Sequence, residues 1–148
     1  MKAICAVLSL AFVTACSPPA VPPAPPAPQS DLVPKFEIIE IATGTGNAVA
    51  AGGTAVVHYT GWLFDSAATD RQGKKFDSSR DRGEPLRFPV GGGRVIKGWD
   101  EGVAGMRPGG TRELQIPAWL GYGDSGAGRA IPPGASLVFE VALLDVRK

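Results

Sequence analysis

At 148 residues the chain can bury one real hydrophobic core, and its 20 glycines and 14 prolines mark it as rich in turns. Lys+Arg and Asp+Glu nearly cancel, at 15 against 14, and no basic run occurs, which argues against nucleic acid as a partner. Cys5 and Cys16 are the two cysteines, so residues 17–148 can form no disulfide and a small disulfide scaffold is excluded.

The first stretch, MKAICAVLSLAFVTAC, places Lys2 before an apolar run from Ala3 to Ala15. That run is too short to cross a bilayer of about 30 Å as a helix, and it reads as an export signal over residues 1–15. Its end, Val13-Thr14-Ala15-Cys16, resembles the lipobox of bacterial lipoproteins, which implies cleavage before Cys16 and lipidation of its thiol. An ordinary signal cut at a nearby small residue would instead leave Cys16 as a free thiol. Lipidation predicts a protein of the bacterial cell envelope. Ser17 stands where many inner-membrane lipoproteins carry aspartate, so the expected place is the outer membrane, facing the periplasm. The next stretch, SPPAVPPAPPAPQS (17–30), is half proline and favours polyproline II at roughly 3.1 Å per residue. Residues 16–34 are thus expected to form a stiff tether, of about 40 Å. Its other reading is a docking ligand for another domain.

From Lys35 to Lys148 short apolar stretches alternate with turn residues, the texture of a single domain. Strands are expected at Phe36 to Ile41, Thr54 to Thr60, Lys74 to Asp77, Leu86 to Val90, Arg112 to Ile116 and Ser136 to Val146, with TGTGN (43–47) as a turn. Leu114 and Ile116, and then Leu137, Phe139, Val141 and Leu143, keep a period of two, as in a sheet with one wet face. Only Val95 to Met106 reads as helix. Gly98, Gly102 and Gly105 make it a poor one in isolation, so packing must hold it. The pattern predicts an α+β fold in which antiparallel strands close over one short helix. The loop of residues 121–135, with Tyr122, Ile131 and adjacent prolines, is expected to form an ordered lip.

Several chemistries drop out. With His58 the only histidine and no cysteine after Cys16, thiolate and multi-histidine metal sites are absent from the domain. A serine triad on His58 would need a nucleophile elbow, and no G-x-S-x-G occurs. The triplet Gly91–Gly93 suggests a phosphate loop, but Gly93 to Gly98 continues with Trp99 and Asp100 where a Walker motif needs Lys and Ser/Thr. What remains is a set of rings from different strands, the helix and the long loop: Tyr59, Phe76, Phe88, Trp99, Tyr122 and Phe139, with Asp77 beside them. They are either the core of a small domain or, if they converge, a concave apolar site with two phenolic hydroxyls and one acid.

VVHYTG (56–61), KKFDSSRDR (74–82), VIKGWDEGV (95–103), YG followed by IPP (122–133) and LVFEVALL (137–144) occur in an order and spacing that closely resemble the FKBP-type peptidyl-prolyl isomerases. The resemblance covers roughly residues 35–148. It implies a half-barrel of five or six antiparallel strands wrapped around the short helix, with the site between sheet and helix. It further implies an enzyme that accelerates X-Pro isomerisation without metal or cofactor, acts on proline-containing polypeptides, is open to macrolide inhibitors of the family, and works as a monomer. Carried over by motif position, Tyr59, Phe76, Asp77, Phe88, Val95, Ile96, Trp99, Tyr122, Ile131 and Phe139 line the pocket. Trp99 is its floor, the Ile96 N–H and the Tyr122 hydroxyl hold substrate carbonyls, and Asp77, steadied by Tyr59, meets the rotating carbonyl. Three positions depart from the pattern: Leu86 where an aromatic is common, Ala127 for a bulkier loop residue, and Ala130 before Ile131. They imply a wider, less aromatic rim. WLFDSAATDRQGKKF (62–76) is longer than the usual hairpin, as a private contact surface or a solvated loop. A module that merely holds proline-containing segments, with incidental turnover, is the alternative to the enzyme.

Overall fold

The computed structural model of the chain describes residues 32–148. The expected signal, the lipidation of Cys16 and nearly all of the tether lie outside the described residues. The strands are β1 (Glu37–Ala42), β2 (Thr54–Phe64), β3 (Gln72–Ser78), β4 (Leu86–Pro89), β5 (Thr111–Ile116) and β6 (Leu137–Arg147). They pair antiparallel in the order β1-β5-β6-β2-β3, with β4 also on β2. β3 and β4 share β2 end to end, β4 against Thr54 to Val57 and β3 against Thr60 to Phe64. Pairing along this edge of β2 breaks between Ser78 and Leu86, and Asp77 and Leu86 flank the break.

The period of two sorts the faces. Ala55, Val57 and Tyr59 of β2 join Leu137, Phe139, Val141 and Leu143 of β6 in one buried core. The opposite face is not wholly wet: Val33 packs with Phe64 and Val138, and its N–H donates to Ser136 Oγ at 2.9 Å. Packing therefore begins before Lys35.

Among the described residues two α-helices lie against this sheet, α1 (Ser79–Arg82) and α2 (Lys97–Val103), where the sequence pattern suggested one longer helix from Val95 to Met106. α2 is shorter because Ile96 is extended (ψ 149°), Ala104 is extended (ψ 133°) and Gly105 turns into positive φ (81°). Its weak propensity is offset by contact. A Cβ on Gly98 would stand 2.7 Å from Ile116 Cγ2, and one on Gly102 would stand 2.6 Å from Leu114 Cδ2, so the glycines let the helix lie directly on β5. Arg112 of β5 donates to the carbonyls of Gly102 and Ala104, both at 3.0 Å, supplying the positive charge that the helix end lacks.

Gly98→Ala should accordingly lower the thermal midpoint. Overpacking costs about 1–3 kcal/mol, whereas alanine gains only about 1 kcal/mol over glycine in a helix. Circular dichroism during heating checks this, and a raised midpoint would mean that α2 can back away from β5.

Candidate active site

β2, β4 and β6 bring three rings onto Trp99 of α2, which is itself 3% exposed. Tyr59 meets it edge-on at 4.9 Å, Phe139 edge-on at 5.2 Å, and Phe88 lies tilted at 5.5 Å. Phe76 continues the stack against Phe139 at 5.5 Å. Gly61 makes room for this pair, since a Cβ there would fall 2.6 Å from Phe139 and 2.7 Å from Phe76. The indole Nε1 is buried with no hydrogen-bond partner among the described residues, a cost that core packing alone does not explain.

Above the indole lies a cavity of about 240 Å³, smaller than the range of about 300–1,000 Å³ usual for drug-sized ligands. Its size suits one ring and its flanking amides. β2 contributes Tyr59, β3 contributes Phe76 and Asp77, β4 Leu86, the turn before α2 Arg94, Val95 and Ile96, the helix Trp99, the long loop Tyr122, and β6 Phe139. A larger concavity of about 640 Å³, lined by Leu32, Val33, Trp119 and Pro133 among others, lies away from this ring stack and holds none of the expected site residues.

Most of the residues expected from sequence thus converge. Two are not among the cavity's lining residues: Phe88 packs on Trp99 at 5.5 Å, and Ile131 joins the same buried core. Ile131 shapes the lip through its backbone, exchanging hydrogen bonds with Ala127 at 2.9 and 3.1 Å. Ile96 precedes the first turn of α2, where the helix leaves N–H groups unpaired. Leu86 lines the cavity at the position flagged as a departure, and Ala127 packs against the core.

The polar edge centres on Asp77. Tyr59 donates its hydroxyl to Oδ2 at 2.5 Å, Arg82 Nη1 donates to Oδ1, and Arg82 Nη2 donates to the Tyr59 hydroxyl at 2.8 Å. Burial pushes the carboxyl pKa up. The hydrogen bonds from Tyr59 and Arg82 and the guanidinium charge outweigh it and hold Asp77 below its ordinary 3.8. Burial and the neighbouring Asp77 raise both Tyr59 and Tyr122, so both phenols stay protonated and able to donate.

Sequence reasoning missed Arg82 and Arg94. The signal for Arg82 lay in Ser78-x-x-Asp81 followed by Gly83: Ser78 Oγ caps α1 from the Arg80 N–H, Gly83 ends it at φ 72°, and the single turn carries Arg82 back over Asp77. The glycine triplet also finds its partner inside the chain. Asp100 Oδ1 accepts from the Gly91 N–H at 2.8 Å and Oδ2 from the Gly93 N–H at 3.1 Å. His58 Nδ1 sits 3.0 Å from Ser79 Oγ, but Ser79 is fully buried and its oxygen already accepts the Tyr59 N–H at 2.8 Å. That pair is structural.

A sequence model described as FKBP-type peptidyl-prolyl cis-trans isomerase matches residues 46–144. The chain is 51% identical over 109 residues to an "FK506-binding protein" of Neisseria meningitidis, covering 74% of this chain and 94% of that one. It is 54% identical over 96 residues to "Peptidyl-prolyl cis-trans isomerase FPR2" of Saccharomyces cerevisiae, covering 65% and 67%. Among solved structures, FkpA from Escherichia coli superposes with a TM-score of 0.65 at 43% identity, over 76% of this chain and 48% of that one.

Proposed function

Because the chain belongs to the FKBP-type peptidyl-prolyl cis-trans isomerase family, we propose that its ring-lined cavity binds an X-Pro bond and favours the twisted amide over the planar one. The observation that carries this reading is Trp99, a buried floor beneath a cavity whose edge holds Asp77 clamped by Tyr59 and Arg82. Rotation about a prolyl amide faces a barrier of about 18–20 kcal/mol because resonance keeps it planar, and unaided it takes tens to hundreds of seconds. No bond has to break. Twisting removes the charge separation of the amide, so a dry apolar wall accepts the twisted form more readily than water does. That difference in binding is the catalysis, at about tenfold for each 1.36 kcal/mol. Val95, Ile96 and Phe76 wall the prolyl ring, while the Ile96 N–H and the Tyr122 hydroxyl hold the carbonyls on either side.

The relatives' name concerns FK506, and macrolide binding here is part of the same reading. Leu86 in the wall and Ala130 on the lip give fewer ring contacts, so affinity should be modest. The place of action is the bacterial envelope, with Cys16 lipidated and the proline-rich stretch as a spacer; mass spectrometry of the mature N-terminus tests that. The domain would there speed the proline-limited folding of exported proteins, as a monomer. Exchange NMR on a proline-containing peptide with micromolar protein tests the activity. Accelerated cis-trans exchange is expected, and an unchanged rate would leave a proline-segment binder.

A further inference from the structure

We propose that Arg94 makes the site selective for polypeptides with an acidic residue next to the proline, an inference that rests on the prolyl reading of the cavity. Two groups of full charge line that cavity, Asp77 and Arg94. Asp77 is matched within the wall, its two oxygens taken by Arg82 and Tyr59. Arg94 is exposed at the rim, and among the described residues no carboxylate pairs with it. Asp100, in the first turn of α2, is engaged with the N–H groups of Gly91 and Gly93. Those two bonds also fix the backbone from which Arg94 projects. The pocket therefore presents one uncompensated positive charge on a positioned stem.

The rest of the lining is rings, aliphatic groups and neutral phenols, which distinguish poorly among neutral side chains beside the proline. A prolyl ring seated on Trp99 leaves its neighbours' side chains at the rim, within the sweep of a long guanidinium. An acidic side chain there gains an exposed ion pair, and a basic one meets repulsion. Such a pair is worth about two- to fivefold in affinity and is screened by salt.

The test uses the full chain and N-acetylated, C-amidated peptides Ala-Xaa-Pro-Phe and Ala-Leu-Pro-Xaa, with Glu, Leu or Lys at Xaa, followed by exchange NMR in low salt. In one series kcat/KM should run Glu over Leu by about two- to fivefold, with Lys lowest. The ratios should shrink towards one in about 1 M salt, and Arg94→Glu should reverse the order. Should that variant misfold, Arg94→Gln must flatten it. Equal turnover of the Glu and Lys peptides, or an order unmoved by these variants, overturns the proposal while the Leu peptide still reports the prolyl site. Failure of every peptide removes the prolyl reading itself, and the proposal with it.

Discussion

Trp99→Leu is expected to remove most of the isomerase activity and leave a folded but weaker domain. The ring touches Tyr59, Phe88 and Phe139, so its loss removes three aromatic pairs of about 0.5–1.5 kcal/mol each along with the area it buries. Complete truncation of such a residue costs about 3–5 kcal/mol, against a total stability of about 5–15 kcal/mol. Leucine keeps part of the volume and abolishes the buried, unpartnered Nε1–H, which returns some of that loss. Activity has no such compensation. A floor that no longer covers a prolyl ring forfeits about 2–3 kcal/mol of apolar contact, or about 30- to 160-fold in kcat/KM. Urea unfolding and exchange NMR on the same sample separate the two effects, and a folded variant with full turnover would show that the indole is only core.

Asp77→Val is the second large effect, and here activity should fall much further than stability. The Asp77 side chain is 40% exposed, and its partner Arg82 is 52% exposed, so the ion pair adds little to folding. The Tyr59 hydroxyl keeps Arg82 as a partner when the carboxylate is gone. In a planar amide the carbonyl oxygen carries negative charge that twisting withdraws. If Asp77 faces that oxygen, as proposed, its carboxylate disfavours the planar state more than the twisted one, and turnover should drop at least about tenfold without it. Equal losses of turnover and thermal stability would contradict this role.

The pH dependence follows from the same network. Asp77 titrates below its ordinary 3.8 in the folded state, so its contribution to stability is present above that value and is lost as pH falls through the folded pKa. The stability gap between wild type and Asp77→Asn should therefore be constant from neutral pH to about 5 and close below 3.8. Urea titrations across that range read it directly.

Period-two strands were legible in the chain, and so was the need for packing to hold α2. β2 was read only as far as Thr60, although it runs on to Phe64; its last residues pair with Leu137 and Val138, and a local pattern cannot show that pairing. α1 has no periodicity to detect, being one turn made by a cap and a glycine. The convergence of Tyr59, Phe76, Asp77, Trp99, Tyr122 and Phe139 was foreseen from motif position. The same positions could not tell that Phe88 packs on Trp99 and Ile131 in the core without lining the cavity, because either side of a ring stack needs an apolar residue. Arg82 and Arg94 escaped notice for the opposite reason: an exposed arginine in a turn is ordinarily just solvated, and only the folded geometry gives either a place in the site.

Catalysis by this cavity requires that it prefer a twisted prolyl linkage to a flat one. Two peptides identical except that one carries the planar prolyl amide and the other an orthogonal α-ketoamide in its place measure that preference directly by calorimetry. The ketoamide should bind at least about a hundredfold tighter, the lower bound for a mimic of the transition state. Equal affinities would mean that the pocket holds proline without turning it.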